Sequence, residues 1–180
     1  MKKYNRLIAL GAAIYVFGLI GYIIFSYLQS KEESLAEVDQ RLSQGVAMTS
    51  SVFTPNAITK VLAGEMSDEE YVAHIKLLDQ ATQAMGYAYT YILAQHEGKI
   101  VYVATTPSDE ERSAGDFPRP FDEYDAAEGD EQIFSASGPE TMESEDEYGK
   151  FRSTLMPMKV GDATVVVGAD VDTSELNAIY

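Results

Sequence analysis

Apolar residues are distributed in three regimes along this chain. From Leu7 to Leu28 there are 22 consecutive residues without a charge, "LIALGAAIYVFGLIGYIIFSYL", and about 20 apolar residues suffice to cross a bilayer as a helix. A transmembrane helix over 7–28 is expected, with 1–6 as a short flank. A cleavable secretory signal has an apolar region of about 7 to 15 residues and a small-residue cleavage site. This run is longer and leads into "QSKEESLAEVDQ" with no A-x-A pattern, so it reads as an uncleaved anchor.

The second regime has a helical period. Leu28, Leu35 and Leu42 recur every seven residues with Val38 and Val46 nearby, while Lys31, Glu32, Glu33, Glu37 and Arg41 fall mostly on other faces. This predicts a juxtamembrane helix over 29–53 with one apolar stripe. Either the chain's own domain or the same helix of a second copy must cover that stripe. The expectation is that Leu28, Leu35, Val38 and Leu42 help pair two protomers. Thr54-Pro55 is an N-cap and first-turn pair for a short helix through "NAITKVLA" that stops at Gly64. Ser67 with Glu70 predicts a capping box for a helix carrying Tyr71, Ile75, Leu78 and Met85 and ending near Gly86.

The third regime alternates. "YAYTYILAQ" and "KIVYVATT" flank an "HEG" turn, which predicts an antiparallel hairpin with Gly98 in an unusual backbone conformation. "FRSTLMPM" and "ATVVVGADV" predict a second hairpin around "KVGD". Between the hairpins, Ser108 to Glu147 holds 15 acids against Arg112 and Arg119, with "QIFSAS" as a short strand candidate. Long insertions of this kind are functional covers or are disordered. The expected fold class is α+β: a central antiparallel sheet with the N-terminal helices on one face and the insertion partly closing the other.

Charge adds a direction and an exclusion. Lys2, Lys3 and Arg6 precede the span, and only Lys31 follows it before Arg41, so the positive-inside bias puts the N-terminus in the cytoplasm. Residues 31–180 are then periplasmic or extracellular. All 29 acids and 10 of the 13 basic residues lie beyond the span, a net charge of −19 there. That balance argues against nucleic acid and against docking onto anionic lipid. The chain has no cysteine, which excludes disulfides and thiol chemistry.

Catalytic motifs are missing. His74 and His96 lack metal-ligand spacing, and no G-x-S-x-G, phosphate-loop or D-x-D-x-D-G pattern occurs. No enzyme activity, cofactor or metal is therefore expected.

A binding site has better candidates. Tyr89, Tyr91 and Tyr102 from the first hairpin, Arg119, Tyr124 and Phe134 from the insertion, and Tyr148, Arg152, Ser153 and Asp170 from the second hairpin combine aromatic walls with a few polar groups, as small-ligand pockets do. Any one tyrosine also fits a core position. Arg152 is distinctive, because an arginine in a strand of Phe, Ser, Leu and Met must reach solvent, a carboxylate partner or an anionic ligand. Alternation puts Tyr148 and Arg152 on one face and Ser153 on the other. If the insertion covers the former face, Arg152 binds a ligand carboxylate and Asp146 or Asp170 an ammonium group.

The segment "DEYGKFRSTLMPMKVGDATVVVGADVDTSEL" resembles the C-terminal half of extracytoplasmic Cache, or PAS-like, sensor domains. Tyr148-Gly149, Ser153 and Pro157, a hairpin and then "VVVGADVD" carry the likeness, and the span, long helix and first hairpin extend it along most of the chain. The resemblance implies a sensor domain over 54–172, with 173–180 starting an exit helix. It also implies the N-terminal part of a longer receptor in the bacterial inner membrane, a homodimer that binds an amino acid or short carboxylate. A methyl-accepting chemotaxis protein is the leading expectation. The alternatives are a sensor histidine kinase, a diguanylate cyclase, or an anchored interaction protein without ligand.

Overall fold

A computed structural model describes residues 2–125, 130–146 and 149–173. The chain forms two compact units, Met1–Val38 and Asp39–Tyr180. The first is the greater part of one helix, α1 (Lys2–Val52). From Ile14 to Ser30 every side chain is exposed, although most are apolar. Within Ile14–Val52 this helix is long and apolar enough to cross a membrane.

In the second unit the last turns of α1 are followed by α2 (Pro55–Leu62) and α3 (Asp68–Met85). The sequence signals for both helices are realised. The Thr54 hydroxyl accepts from the Ala57 amide at 3.4 Å ahead of Pro55, and the Ser67 hydroxyl accepts from the Glu70 amide at 3.2 Å. Only half of the expected box at Ser67 forms, because the Glu70 carboxylate accepts from Lys60 Nζ at 2.8 Å. That ion pair joins α2 to α3 and holds the Glu70 carboxyl below its ordinary range. Gly86, at φ 70°, closes α3 in the left-handed conformation.

Five antiparallel strands follow: β1 (Tyr89–His96), β2 (Lys99–Thr105), β3 (Glu140–Asp146), β4 (Gly149–Val160) and β5 (Ala163–Asp172). Their order across the sheet is β2-β1-β5-β4-β3. Both expected hairpins are present. At the first turn Glu97 (φ 50°) as well as Gly98 (φ 79°) is left-handed, as a two-residue turn matched to strand twist requires. The insertion begins with α4 (Asp109–Ala114) and differs from expectation further on. "QIFSAS" is no strand: Gln132 to Ser135 belong to the 3-10 helix Asp130–Ser135, and the additional strand is β3, "ETMESED". Acidic residues mask that strand's pattern, and they suit an edge, where charge discourages further pairing.

Strand register sorts side chains onto two faces. Thr90, Ala169 and Thr154 lie opposite one another across β1, β5 and β4, and this face carries the helices. Thr82 on α3 shares a hydrogen bond of 2.7 Å with Thr90, and a Cβ on Gly45 of α1 would come within 2.9 Å of Ala169 Cβ. Leu42, Val46, Phe53, Ile58, Ile75 and Leu78 are buried. Leu42, the distal end of the stripe expected to pair two protomers, is thus taken up by its own unit. The helix leaves no gap there for a second copy to fill.

Arg152 emerges on the same face. Its Nε and Nη2 donate to the two carboxylate oxygens of Asp39 on α1 at 2.6 and 2.9 Å, and Nη1 donates to Glu143 on β3 at 2.8 Å. Hydrogen bonding to Asp39 raises the guanidinium's pKa further. The arginine side chain is only 14% exposed, Asp39 37% and Glu143 67%. A planar fork on a sheltered carboxylate is worth more than an exposed pair. Arg152→Lys is therefore expected to lower the unfolding free energy by about 1 to 2 kcal/mol, and Glu143→Gln by less than about 0.5 kcal/mol. Denaturant titration of the full chain in micelles checks this; equal losses would remove Asp39 as the dominant partner.

Candidate functional site

The opposite face of the sheet gathers aromatic rings. Register aligns Tyr89, Asp170, Ser153 and Met142 in one row, and Tyr91, Gly168 and Leu155 in the next. Tyr91, Leu93, Ile100, Ile133, Leu155 and Val166 form a buried cluster, with Tyr89, Tyr102, Tyr124, Phe134 and Met142 half-buried against it. Three tyrosines make mutual contact: Tyr91 stacks with Tyr124 at 6.5 Å, and Tyr102 stands edge-on to Tyr91 at 6.4 Å and to Tyr124 at 5.5 Å. These separations and tilts are the favourable ones for aromatic quadrupoles.

The insertion reaches this face by backbone pairing. The Tyr102 amide donates to the Asp122 carbonyl at 2.9 Å, the Phe121 amide to the Tyr102 carbonyl at 2.7 Å and the Tyr124 amide to the Ile100 carbonyl at 2.9 Å. Residues 121–124 thereby line the β2 edge and carry Tyr124 onto the cluster. Phe121 adopts φ 71° to make the turn, a conformation costly for a residue with a Cβ. Arg112 fixes the start of the insertion. Its guanidinium holds both carboxylate oxygens of buried Asp79 on α3, at 2.7 and 3.0 Å, and also contacts Asp109.

The polar centre of the cluster is Tyr91 with Asp170. The tyrosine hydroxyl donates to Asp170 Oδ1 at 3.0 Å. Burial, reinforced by the Asp170 charge, pushes its pKa well above the ordinary phenol value, so the proton stays on the tyrosine and the carboxylate remains the acceptor. Ser153 is also buried here. Chemically the site offers aromatic faces, a hydroxyl or two and one sheltered carboxylate, which suits a compact ligand with a cationic group.

Seven of the ten residues named from the sequence therefore meet on one face: Tyr89, Tyr91, Tyr102, Tyr124, Phe134, Ser153 and Asp170. Three do not join them. Arg152 is committed to Asp39 and Glu143 behind the sheet, so the carboxylate-partner alternative is the one the geometry shows. Arg119 borders a separate cavity beside α3, and Tyr148 lies outside the described residues. Beside Gly149 lies the Phe151 ring, 3.3 Å from where a Cβ would stand. Phe151, whose ring centre is 5.8 Å from that of Tyr89, and Gly168 also belong to this face. Alternation with Ser153 could have indicated Phe151.

The separate cavity, of about 280 Å³, lies between α3 and residues 115–120. Tyr71 forms part of its wall. That hydroxyl is buried with no hydrogen-bond partner among the described residues, and burial raises its pKa strongly. A buried donor left unsatisfied costs about 1 to 3 kcal/mol. Among the described residues no cluster of His, Asp and Glu has the arrangement of a metal site.

No protein-family model matches this chain. No curated protein matches it either. The five-stranded antiparallel sheet, its flanking helices and the N-terminal apolar helix are compatible with a PAS-like sensor.

Gly168 is the steric condition for this site. A Cβ there would lie 2.1 Å from Tyr91 Cε2 and 2.4 Å from Cζ, overlaps that a buried ring cannot relieve by a rotamer change. Gly168→Ala is expected to cost about 3 kcal/mol, and much less in a Tyr91→Ala background. A double-mutant cycle measures that coupling, and additive losses would show that the ring does not set the requirement.

Proposed function

We propose that this chain is the outer sensing portion of a bacterial membrane receptor, anchored through Leu7 to Leu28 and facing outward from residue 31. The ligand is a small molecule that binds over the sheet beneath the insertion. The observation that carries the reading is the assembly of Tyr89, Tyr91, Tyr102, Tyr124 and Phe134 around the buried Asp170. Aromatic walls with one charged anchor are the usual build of a small-molecule pocket. An amino acid fits best, its ammonium group at Asp170 and its side chain among the rings. Arg152 plays no part in holding the carboxylate, since its guanidinium is occupied on the other face.

The Cache-like likeness of the C-terminal hairpin supports a chemoreceptor, with a histidine kinase or diguanylate cyclase front end as the other output of the same design. Two copies pairing along α1 would carry occupancy across the bilayer, with Leu28, Leu35 and Val38 as the available part of the stripe. In this reading the acidic insertion is the pocket cover.

Thermal-shift screening of the full chain in nanodiscs against the proteinogenic amino acids and short carboxylates tests the pocket. An amino acid should raise the melting temperature of the wild type. Asp170→Asn should weaken its binding about 10- to 100-fold, the range for a lost charge-assisted contact. Tyr124→Ala, at a half-buried ring, provides a second variant less exposed to misfolding. A screen without a hit, or a hit that both variants bind as the wild type does, overturns the assignment.

Topology is checked separately. A reporter fused after Tyr180 should be active only if it is one that works outside the cytoplasmic membrane; activity of a cytoplasm-only reporter would reverse the orientation.

A further inference from the structure

The cavity between α3 and residues 115–120 belongs to neither the sheet-face cluster nor the covering helices. Its inner walls are apolar: Tyr71 and Val72 on the α3 side, Phe117, Pro118 and Pro120 on the other. Its charged groups, Lys76, Arg119, Asp68 and Asp116, are all exposed at the rim. At about 280 Å³ it holds a molecule of a few heavy atoms.

Two cations at this rim are weakly engaged. Five other cations of the domain are closely held by a carboxylate: Lys60 by Glu70, Lys99 by Glu123, Arg112 by Asp79, Lys150 by Glu145 and Arg152 by Asp39. Arg119 reaches Asp68 only at 3.7 Å, with both side chains mostly in water, a geometry that binds little. Lys76 lies over the Phe117 ring, with Nζ 5.3 Å from its centre. Among the described residues no carboxylate lies within ion-pair distance of Lys76. Water-exposed cation–π contacts are weak, so both groups are available to a ligand anion.

Tyr71 lies buried on the α3 wall. The two weakly engaged cations at the rim and the apolar interior make a set that matches an anion with a short hydrocarbon body. Asp68 and Asp116 oppose an anion, but both are exposed to solvent, whereas a carboxylate between Lys76 and Arg119 gains two charge-assisted partners at once.

We propose that this cavity is a second binding site, which takes a short apolar monocarboxylate with its head group between Lys76 and Arg119 and its chain against Val72, Phe117, Pro118 and Pro120. The site shares no lining residue with the sheet-face cluster. It lies where the insertion leaves α4, so occupancy braces residues 115–120 against α3 and thereby the segment that carries Tyr124.

Butyrate, butylammonium and butanol share a chain length and differ in charge, and they serve as probes. Each is titrated into the full chain in nanodiscs with calorimetry and with amide NMR shifts of residues 68–76 and 115–120. Butyrate should bind and move those amides. Butylammonium should bind at least about tenfold more weakly, the worth of a charge-assisted contact. Lys76→Met and Arg119→Gln alter exposed side chains and should each weaken butyrate about tenfold. Lys159→Met, a change of equal charge beside the β4-β5 turn, should leave butyrate binding unchanged. Butylammonium binding as tight as butyrate, equal binding of butanol, equal loss in Lys159→Met, or no binding of butyrate would each overturn the proposal.

Discussion

Two adjacent small residues in the middle of β5, Gly168 and Ala169, set how closely both layers approach the sheet. On one side the Tyr91 ring lies over Gly168, where any side chain would overlap it. On the other, Gly45 of α1 meets Ala169 so closely that even a methyl group would stand 2.9 Å from its Cβ. Strand alternation sends neighbouring residues to opposite faces, so a single dipeptide admits a ring above and a helix below. The strand is buried from Val165 to Val171. Because it is central, with β1 on one edge and β4 on the other, both hairpins take their position from this packing.

Polar groups then lock what the small residues permit. The Tyr87 hydroxyl donates to the Arg41 carbonyl at 2.6 Å, while the Arg41 side chain donates to the carbonyls of Met85 and Gly86 at 2.7 Å each. The C-terminus of α3 is thereby satisfied by α1. Arg152 and Asp39 add a bidentate tie one strand away. On the sensor reading these ties are significant for function, because Ser153 faces the aromatic cluster and its neighbour Arg152 faces α1. Any shift of β4 on ligand binding acts directly on Asp39, without passing through loosely packed side chains that would absorb it.

Local signals proved legible in the sequence where the physics is local. The Thr54 and Ser67 caps, the Gly86 stop and both hairpins need only a few neighbouring residues to be recognised, and each is present. β3 was not legible, because "ETMESED" carries its edge character in charges that read equally well as a solvated loop. For Arg152 the alternation was informative and the face was not: the strand pattern separates it from Ser153 but does not say which layer covers which side. Its partner Asp39 is 113 residues away, beyond any periodicity argument. The aromatic site was legible as a set of types, and only the register and the path of 121–124 along β2 bring those rings together. The contact of Lys76 with Phe117 had no signal, since it depends on how the insertion folds back onto α3.

The charge distribution explains why anion recognition by so acidic a domain is physically reasonable. A net charge of −19 beyond the span repels anions at long range, but at physiological ionic strength the field decays over about 8 Å. Inside that distance the few nearest groups decide. Five of the ten basic side chains beyond the span are neutralised by a close carboxylate and contribute little to the local potential. Lys76 and Arg119 remain outside that pattern at one cavity rim. The acidic surface and a local anion site are therefore compatible: the first limits how fast a carboxylate arrives, and the second governs how long it stays.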